Sequence, residues 1–479
     1  MILLAAGRWL PERWLGRAAL AVAAAALVLF LVFRTGAAEV SLFRWLPAEG
    51  LSVTAVYRFD ALAVTLVLLS GGAALLLLLW MGLAAPAEEG AYAPWVLLLL
   101  ALFWHFLGSA DLVLAYAGWE MLLLATYGLL VFRRPALPTP GIAEWFLGTQ
   151  HLAGYPLLFA LLLSGVPRGT WEYGRWGVGA VSVVALLLLL LTAWVRTAQV
   201  HFQAWALAAA ECPGPASTLL LGGWGLLAGP YLWLRFLSRL DGALPQEVVL
   251  VAGSVSLVVG AVLALRQEGG RQVQAGDTIA RLGLVWIALG LGGSWGLAAG
   301  WFLLLDLLLS KVLLHVALSG SGPQRPFRQA LYILGMWGGL GLPPALGFVG
   351  RWLLALGLLS AGRSYYLPIV LLATPLTLLY AWRGWNLVPR SGSSGDRLEK
   401  AARQGLAGFL ALVPLAGLAA PWLWSALLEP ATRAVRGTVA ADIAPALDAL
   451  LAWLLPFVLL ALLLGGGGVF WSGALRRRA

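Results

Sequence analysis

Apolar residues fill this chain in runs of roughly 20, the length that crosses a bilayer as a helix, and polar residues gather in the short stretches between them. The runs predict about fourteen spans, at 13–33, 60–84, 92–108, 110–132, 144–165, 177–199, 215–238, 247–265, 276–295, 299–319, 329–361, 366–386, 405–428 and 447–471. The expected fold is an all-α polytopic membrane protein, a single transmembrane domain over 1–479. The run 329–361 is too long for one straight crossing and contains Pro343 and Pro344; the stretch 200–214 reads as a short helical piece ending in "ECPGP". Proline removes a backbone donor inside a helix, so both places predict interrupted helices. They fall in two halves, 110–238 with its break near 196–214 and 247–386 with its break near 341–351. Broken helices in corresponding halves are the pattern of two inverted-topology repeats with a path near the midplane. The low-complexity stretch "RSGSSGDRLEK" places a flexible cytoplasmic loop at 387–404.

Composition strengthens the membrane reading. The chain is 61% hydrophobic and 11% charged, with a mean hydropathy of +0.89, too apolar for a soluble domain. The start, "MILLAAGRWLPERW", carries an apolar patch too short for a secretory signal and no small-residue cleavage pattern, so no cleaved signal is expected. One cysteine, Cys212, excludes a disulfide framework, a multi-thiolate metal site and an iron–sulfur cluster. Four scattered histidines argue against a haem carrier. No metal, cofactor or catalytic centre is therefore expected.

The net charge of +10 reads as a topology signal and not as a nucleic-acid one, because the arginines sit in short loops. Fourteen spans place both termini on one side. Eighteen Lys and Arg residues fall there, among them Arg133, Arg134, Arg383, Arg390, Arg397 and Arg476 to Arg478, against ten opposite. The positive-inside rule then puts both termini in the cytoplasm of a cell inner (plasma) membrane. Many of the 25 tryptophans stand near span ends, where they suit an interfacial belt.

A few charges sit where an apolar span should have none. Glu120 lies near the middle of "DLVLAYAGWEMLLLATYGLLVF" (111–132), Arg196 toward the end of "LLLLLLTAWVRTAQVHFQAW" (186–205), and Arg351 beyond the Pro-Pro break in "GLPPALGFVGRWLLAL" (341–356). "LLLDLLLSKVLLHVAL" (303–318) carries Asp306, Lys311 and His315, and Lys311 is one of only two lysines in the chain. Arg196, Arg351 and Lys311 can each be read as snorkelling to the interface, and Glu120 as a structural acceptor. The alternative is a set of intramembrane ionisable groups facing the bundle interior, which marks a proton or ion pathway. His315 follows Lys311 by four residues and shares its helix face. Asp306 precedes Lys311 by five, roughly 140° around the helix, so it is a poor intrahelical partner. Burial lowers a lysine's pKa and raises a carboxylate's, so a buried lysine, carboxylate and histidine can exchange protons near neutrality. Arginine keeps its charge and makes a poor carrier.

Over roughly 50–365 the chain resembles the antiporter-like membrane subunits of respiratory complex I, Mrp cation/proton antiporters and membrane-bound hydrogenases. "DLVLAYAGWEMLLLATYGLLV" is similar to the family span with a Trp-Glu pair, and Glu120 stands at its key glutamate. "VRTAQVHFQAWALAAAECPGPASTLLLGGWGLLAGPYLWLRF" resembles "GKSAQ-P-H-W-L-P-D-A-GPTPVSALIHAA…YL-RF", and "LLSKVLLHVALSG" resembles "FFKALLFLASG", with Lys311 on the family lysine. "GLPPALGFVGRW" is similar to the second broken helix, with Arg351 where a lysine or glutamate normally stands. The register "P-G-P-A-S" and the segment "GYPLLFALLLSGVPRGTWEY" lean toward the largest antiporter-like subunit of complex I, with its Mrp and carbon-uptake relatives. Departures accompany the likeness. Arg196 replaces the lysine partner of the glutamate, Leu221 replaces a central histidine or lysine, and Leu207 and Ala208 replace a proline and an aspartate. The usual "KRLLAYSS" has become "DTIARLGLV", and one N-terminal span and the long C-terminal lateral helix are expected to be missing.

The resemblance implies a proton-translocating, antiporter-like subunit of a complex I-type NADH-quinone oxidoreductase or related assembly. Glu120, Arg196, Asp306, Lys311, His315 and Arg351 would line a proton path that has degenerated in part. Glu120 and Arg196 would form a fixed ion pair. The partners would be other membrane subunits, the bilayer and protons, with no bound redox cofactor and no enzymatic activity in this chain alone. The alternatives are the proton-conducting membrane subunit of a two-component inorganic-carbon uptake system, paired with a large soluble zinc-dependent partner, and a non-pumping scaffold subunit.

Overall fold

The computed structural model describes residues 11–33, 39–46, 53–85, 87–132, 141–173, 176, 181–212, 214–222, 224–237, 246–319, 324–390, 397–437 and 439–456. Arg133, Arg134, Arg476 to Arg478 and most of the predicted loop 387–404 lie outside them or carry side chains that do, as does the side chain of Leu221.

The chain is built from helices in sequence order: α1 (Glu12–Phe33), α2 (Ala61–Leu83), α3 (Ala87–Gly90), α4 (Ala93–Gly108), α5 (Leu112–Val131), α6 (Ile142–Leu152), α7 (Gly154–Gly165), α8 (Val183–Arg196), α9 (Ala204–Ala209), α10 (Gly214–Gly222), α11 (Trp224–Leu237), α12 (Gln246–Arg266), α13 (Gly270–Leu291), α14 (Gly293–Leu318), α15 (Arg325–Trp337), α16 (Leu346–Ser360), α17 (Leu367–Asn386) and α18 (Arg397–Leu410). A tight helical segment Val413–Ala419, the helical stretch 420–436 and a helix at Ile443–Pro456 follow. Among the described residues nine helices are long and apolar enough to cross a membrane, and Val183–Arg196, Leu346–Ser360 and Ile443–Pro456 are shorter apolar ones. Length and composition thus do not reproduce the fourteen predicted spans one for one. The run 329–361 is two helices, α15 and α16. α13 carries Arg271, Asp277 and Arg281 and so lacks a clean apolar window.

A two-stranded antiparallel ribbon, β1 (Val40–Leu46) and β2 (Val53–Tyr57), joins α1 to α2, with Val40 opposite Tyr57 and Ser41 opposite Val56. Its Val and Thr residues suit a pleated surface, and it is the one sheet among the described residues.

α14 is the central helix. Its apolar window is 94% buried, and it packs against α2, α10, α13, α15 and α16. α12 lies close on the other side of α13. There a Cβ on Gly276 would stand 2.5 Å from the Ala264 amide nitrogen. Small residues let backbones approach where lipid offers no hydrophobic drive between helices. That contact presses the α13 face bearing Asp277 and Arg281 onto α14.

The carboxylates at α2 and α5 have structural work. Asp60 accepts from the Ala63 amide at 3.0 Å and pairs with Arg235 of α11. Asp111 accepts from the Val113 amide at 2.8 Å. Both are N-caps, which satisfy helix-end donors that lipid could not.

Candidate functional site

Lys311 lies on α14 with its ammonium against α13. Its Nζ donates to Asp277 Oδ2 at 2.7 Å, to the Gln274 carbonyl at 3.1 Å and to Gln274 Oε1 at 3.1 Å. All three protons of the charged form therefore have acceptors. Asp277 and Lys311 are both fully buried, at 0% and 4% exposure, so the ammonium does not snorkel. The second Asp277 oxygen accepts from the Tyr380 hydroxyl of α17 at 3.0 Å, and Tyr380 meets Thr377 at 3.0 Å.

Arg281, one turn along α13 from Asp277, links that pair to the next. Its Nη1 donates to Ser310 Oγ at 2.8 Å and lies 3.7 Å from Asp277 Oδ2, and its Nη2 donates to Asp306. Asp306 thus faces Arg281 and not Lys311, as its angular offset on α14 requires. It is wedged into the second helix break. A Cβ on Gly338 would collide with Asp306 Oδ1, and the Gly347 amide in the first turn of α16 donates to the same carboxylate. A carboxylate at a helix N-terminus satisfies an orphan donor and matches the helix dipole.

The break occupies 338–345, between α15 and α16. Arg351 reaches back across it from α16, donating to the carbonyls of Gly339 and Leu340 and, at 2.7 Å, to Thr374 Oγ1. Interrupted backbone inside a membrane survives only where such partners re-satisfy it. Arg351 is 9% exposed and occupied by backbone carbonyls, which does not fit snorkelling. A cavity of about 10 Å³ beside it, lined by Arg281, Arg351, Thr377 and Tyr380 among others, is about the size of one water site.

His315 lies one turn beyond Lys311 on the same face. Its Nε2 lies 3.0 Å from Glu89 Oε2 of α3, and its Nδ1 lies 2.8 Å from Thr218 Oγ1 of α10. Lys311 and His315 share the lining of a cavity of about 30 Å³ with Ser217, Thr218 and Gln274. That volume holds about two ordered waters. The groups form a file from Glu89 through His315, the cavity and Lys311 to Asp277, with Arg281, Asp306 and Arg351 beyond.

In the first half Glu120 lies on α5, 3.0 Å from His151 Nδ1 of α6. Arg196 ends α8 and is buried at 3% exposure, with its guanidinium 5.1 Å over the Trp119 ring and Nη1 3.4 Å from Gln150 Oε1. Glu120 and Arg196 are electrostatically coupled, and His151 supplies a contact to Glu120 at hydrogen-bond distance. After Arg196 the chain leaves the helix, with positive φ at Ala198 (54°) and His201 (77°). Side chains are strained there unless the surroundings hold them. The holding bonds are Trp205 Nε1 to the Val195 carbonyl at 3.0 Å, Gln199 Nε2 to the Thr197 carbonyl at 2.7 Å, and the Val200 amide to Ser256 Oγ at 3.1 Å. Trp194 and Trp233 pack on Trp286 of α13 at 5.5 and 6.2 Å, so tryptophans fill the contact between the halves.

Of the six residues singled out from sequence, Lys311, His315, Asp306 and Arg351 gather around α14 and the helices packed on it, and Glu120 and Arg196 belong to a separate cluster. Glu89, Gln274, Asp277, Arg281 and Tyr380 were missing from that set. Asp277 and Arg281 did carry a signal: a carboxylate and a guanidinium at i and i+4 in an otherwise apolar helix. Glu89 carried none, because its partner is 226 residues away.

Residues 109–377 match the family model described as NADH:quinone oxidoreductase/Mrp antiporter, TM. Among curated proteins the chain is 30% identical over 262 residues to NADH-quinone oxidoreductase subunit L of Mycobacterium tuberculosis, which covers 52% of this chain and 41% of that protein. It is 28% identical over 267 residues to NADH-quinone oxidoreductase subunit 14 of Thermus thermophilus, 53% of this chain and 60% of that one. It is 32% identical over 155 residues to a Na(+)/H(+) antiporter subunit of Alkalihalophilus pseudofirmus, 31% and 19%. The matched stretch thus spans less than two thirds of each of these relatives. A chain of the Mrp complex from a Dietzia species shares the fold with a TM-score of 0.74 at 20% identity, over 94% of this chain and 98% of that one. So does a chain of an archaeal membrane-bound sulfane sulfur reductase, at 0.74 and 19%, over 93% and 96%. With more than half of its length inside the family model, this chain belongs to the transmembrane family of NADH:quinone oxidoreductase and Mrp antiporter subunits.

Proposed function

We propose that this chain is a proton-translocating, antiporter-like subunit of a multi-subunit membrane assembly, and that Lys311 carries the mobile proton. The observation behind this is the charge balance around it. Arg281 and Arg351 are permanently charged, and Asp277 and Asp306 lie among them. The two carboxylates offset the two guanidinium groups. Lys311 is then the surplus charge, and it is the one cation of the three that can give its proton up. A network that is neutral without that proton and singly charged with it has a defined place to load and release it.

The His315–Glu89 pair and the water-sized cavity supply a route to Lys311, and the named relatives, subunits of NADH-quinone oxidoreductases and of a Na(+)/H(+) antiporter, favour this reading over inorganic-carbon uptake. The assembly would sit in the inner (plasma) membrane with both termini in the cytoplasm. Arg383 of α17 donates to the Gln267 carbonyl at 2.5 Å, which puts the α12–α13 turn on the face where Arg383, Arg390 and Arg397 cluster in sequence. The cavity would then be reached from the cytoplasmic side. The Glu120–His151–Arg196 cluster would sense a neighbouring protein of the assembly and bias the Lys311 network through the contact between the halves.

Proton uptake into proteoliposomes holding the chain in its native assembly tests this. Lys311→Met and Glu120→Gln should each abolish flux with the assembly intact. Undiminished flux in Lys311→Met would overturn the assignment, and absence of flux in the unmodified assembly would leave the scaffold reading.

A further inference from the structure

Beyond the small cavity at Lys311 and His315 lies a second, larger space. A cleft of about 480 Å³ opens at the end of the bundle, lined by Glu211, Gly270, Arg271, Gln272, Leu318 and Pro389. Arg271 and Leu318 line both the cleft and the inner cavity. Leu318 is an apolar wall with no group to exchange. Arg271 is held by a polar contact, Nη1 donating to the Cys212 carbonyl at 3.1 Å. That carbonyl lies three residues beyond the end of α9 and outside its helical ladder. Glu89, 3.0 Å from His315, is also felt electrostatically by Arg271.

We infer that Arg271 is a gate between the open cleft and the water cavity that reaches His315 and Lys311, closed while its guanidinium rests on the Cys212 carbonyl and open when it swings toward Glu89. In the closed position a permanent cation stands in the throat, which excludes metal cations from the cavity. In the open position Arg271 competes with His315 for Glu89, so opening the cleft and freeing the histidine happen together. One hydrogen bond to a neutral carbonyl is a weak latch, of the size that thermal motion breaks often.

The gate serves the transport reading, which says what passes, but its opening is measurable without any proton flux. The full chain in membranes would carry Ser217→Cys inside the cavity on a Cys212→Ser background, and the probe is the small neutral reagent methyl methanethiosulfonate. Gln272→Cys in the outer cleft is the reference. With Arg271 present, position 217 should react far more slowly than position 272. Arg271→Ala should raise the rate at 217 by about tenfold or more, the scale set by losing one charge-assisted hydrogen bond, and Arg271→Lys should fall between. Loss of a nearby cation lowers the thiolate fraction at 217, so an increase cannot arise from cysteine reactivity. Rates at 217 that ignore Arg271, that already equal those at 272, or that rise only in step with 272 would each overturn the gate.

Discussion

Asp277 and Lys311 meet at 2.7 Å across the interface of α13 and α14, both sealed from solvent. Two charges in that position are individually costly and jointly tolerable. Asp277→Asn should therefore destabilise the chain by about 3–5 kcal/mol, because it strands a buried ammonium. The double variant Asp277→Asn/Lys311→Met should recover most of that loss, since neither charge remains. Thermal unfolding in detergent of the two single variants and the double decides it; strict additivity would mean the pair is not coupled.

Lys311→Arg separates charge from proton chemistry. A guanidinium can occupy the site and keep the attraction to Asp277, but it does not release a proton at accessible pH. Stability should fall by no more than about 1–3 kcal/mol from the changed shape, whereas proton uptake by the assembly should vanish. Retained uptake would mean that Lys311 serves only as a fixed charge.

Asp306 ties Arg281 to the first turn of α16, just past the second break. Asp306→Asn removes the charge that Arg281 and the first turn of α16 share, and should loosen 338–350 ahead of the rest of the bundle. Hydrogen exchange should rise at the Gly347 amide while amides in the middle of α12 stay protected. A uniform rise in both places would point to general unfolding.

Gly338 and Gly148 make a matched pair of helix-flanking and helical glycines. A Cβ at 338 would collide with Asp306 Oδ1, whereas one at 148 meets nothing within 4 Å. Gly338→Ala should cost about 1–3 kcal/mol through displacement of Asp306. Gly148→Ala should be neutral or stabilising by about 0.5–1 kcal/mol, the usual gain of alanine in a helix. Equal shifts in unfolding temperature would show that Asp306 is free to move aside.

The misplaced charges were legible because lipid makes a charge in an apolar run expensive. Lys311, His315, Asp306 and Arg351 all stood out on that ground. Asp277 and Arg281 were equally visible as letters. They read as an eroded motif at the edge of a predicted span, because nothing local shows that α13 turns this face onto the lysine. Glu89 falls between the predicted spans 60–84 and 92–108 and has no anomaly to announce it.

The fold class followed from hydropathy, since a bilayer permits few backbone solutions; proline marked the break at 338–345, whereas the chain leaves α8 at Thr197, well ahead of any proline. The sequence by itself determined that ionisable residues interrupt the apolar runs, and which of those residue types can release a proton at accessible pH. Only the tertiary structure decided who pairs with whom. Asp306 belongs to Arg281, Lys311 to Asp277, His315 to Glu89 and Arg351 to the carbonyls of its own break. Those partners come from helices packed side by side, and a pairing between helices depends on rotation and depth, which no local pattern of residues encodes.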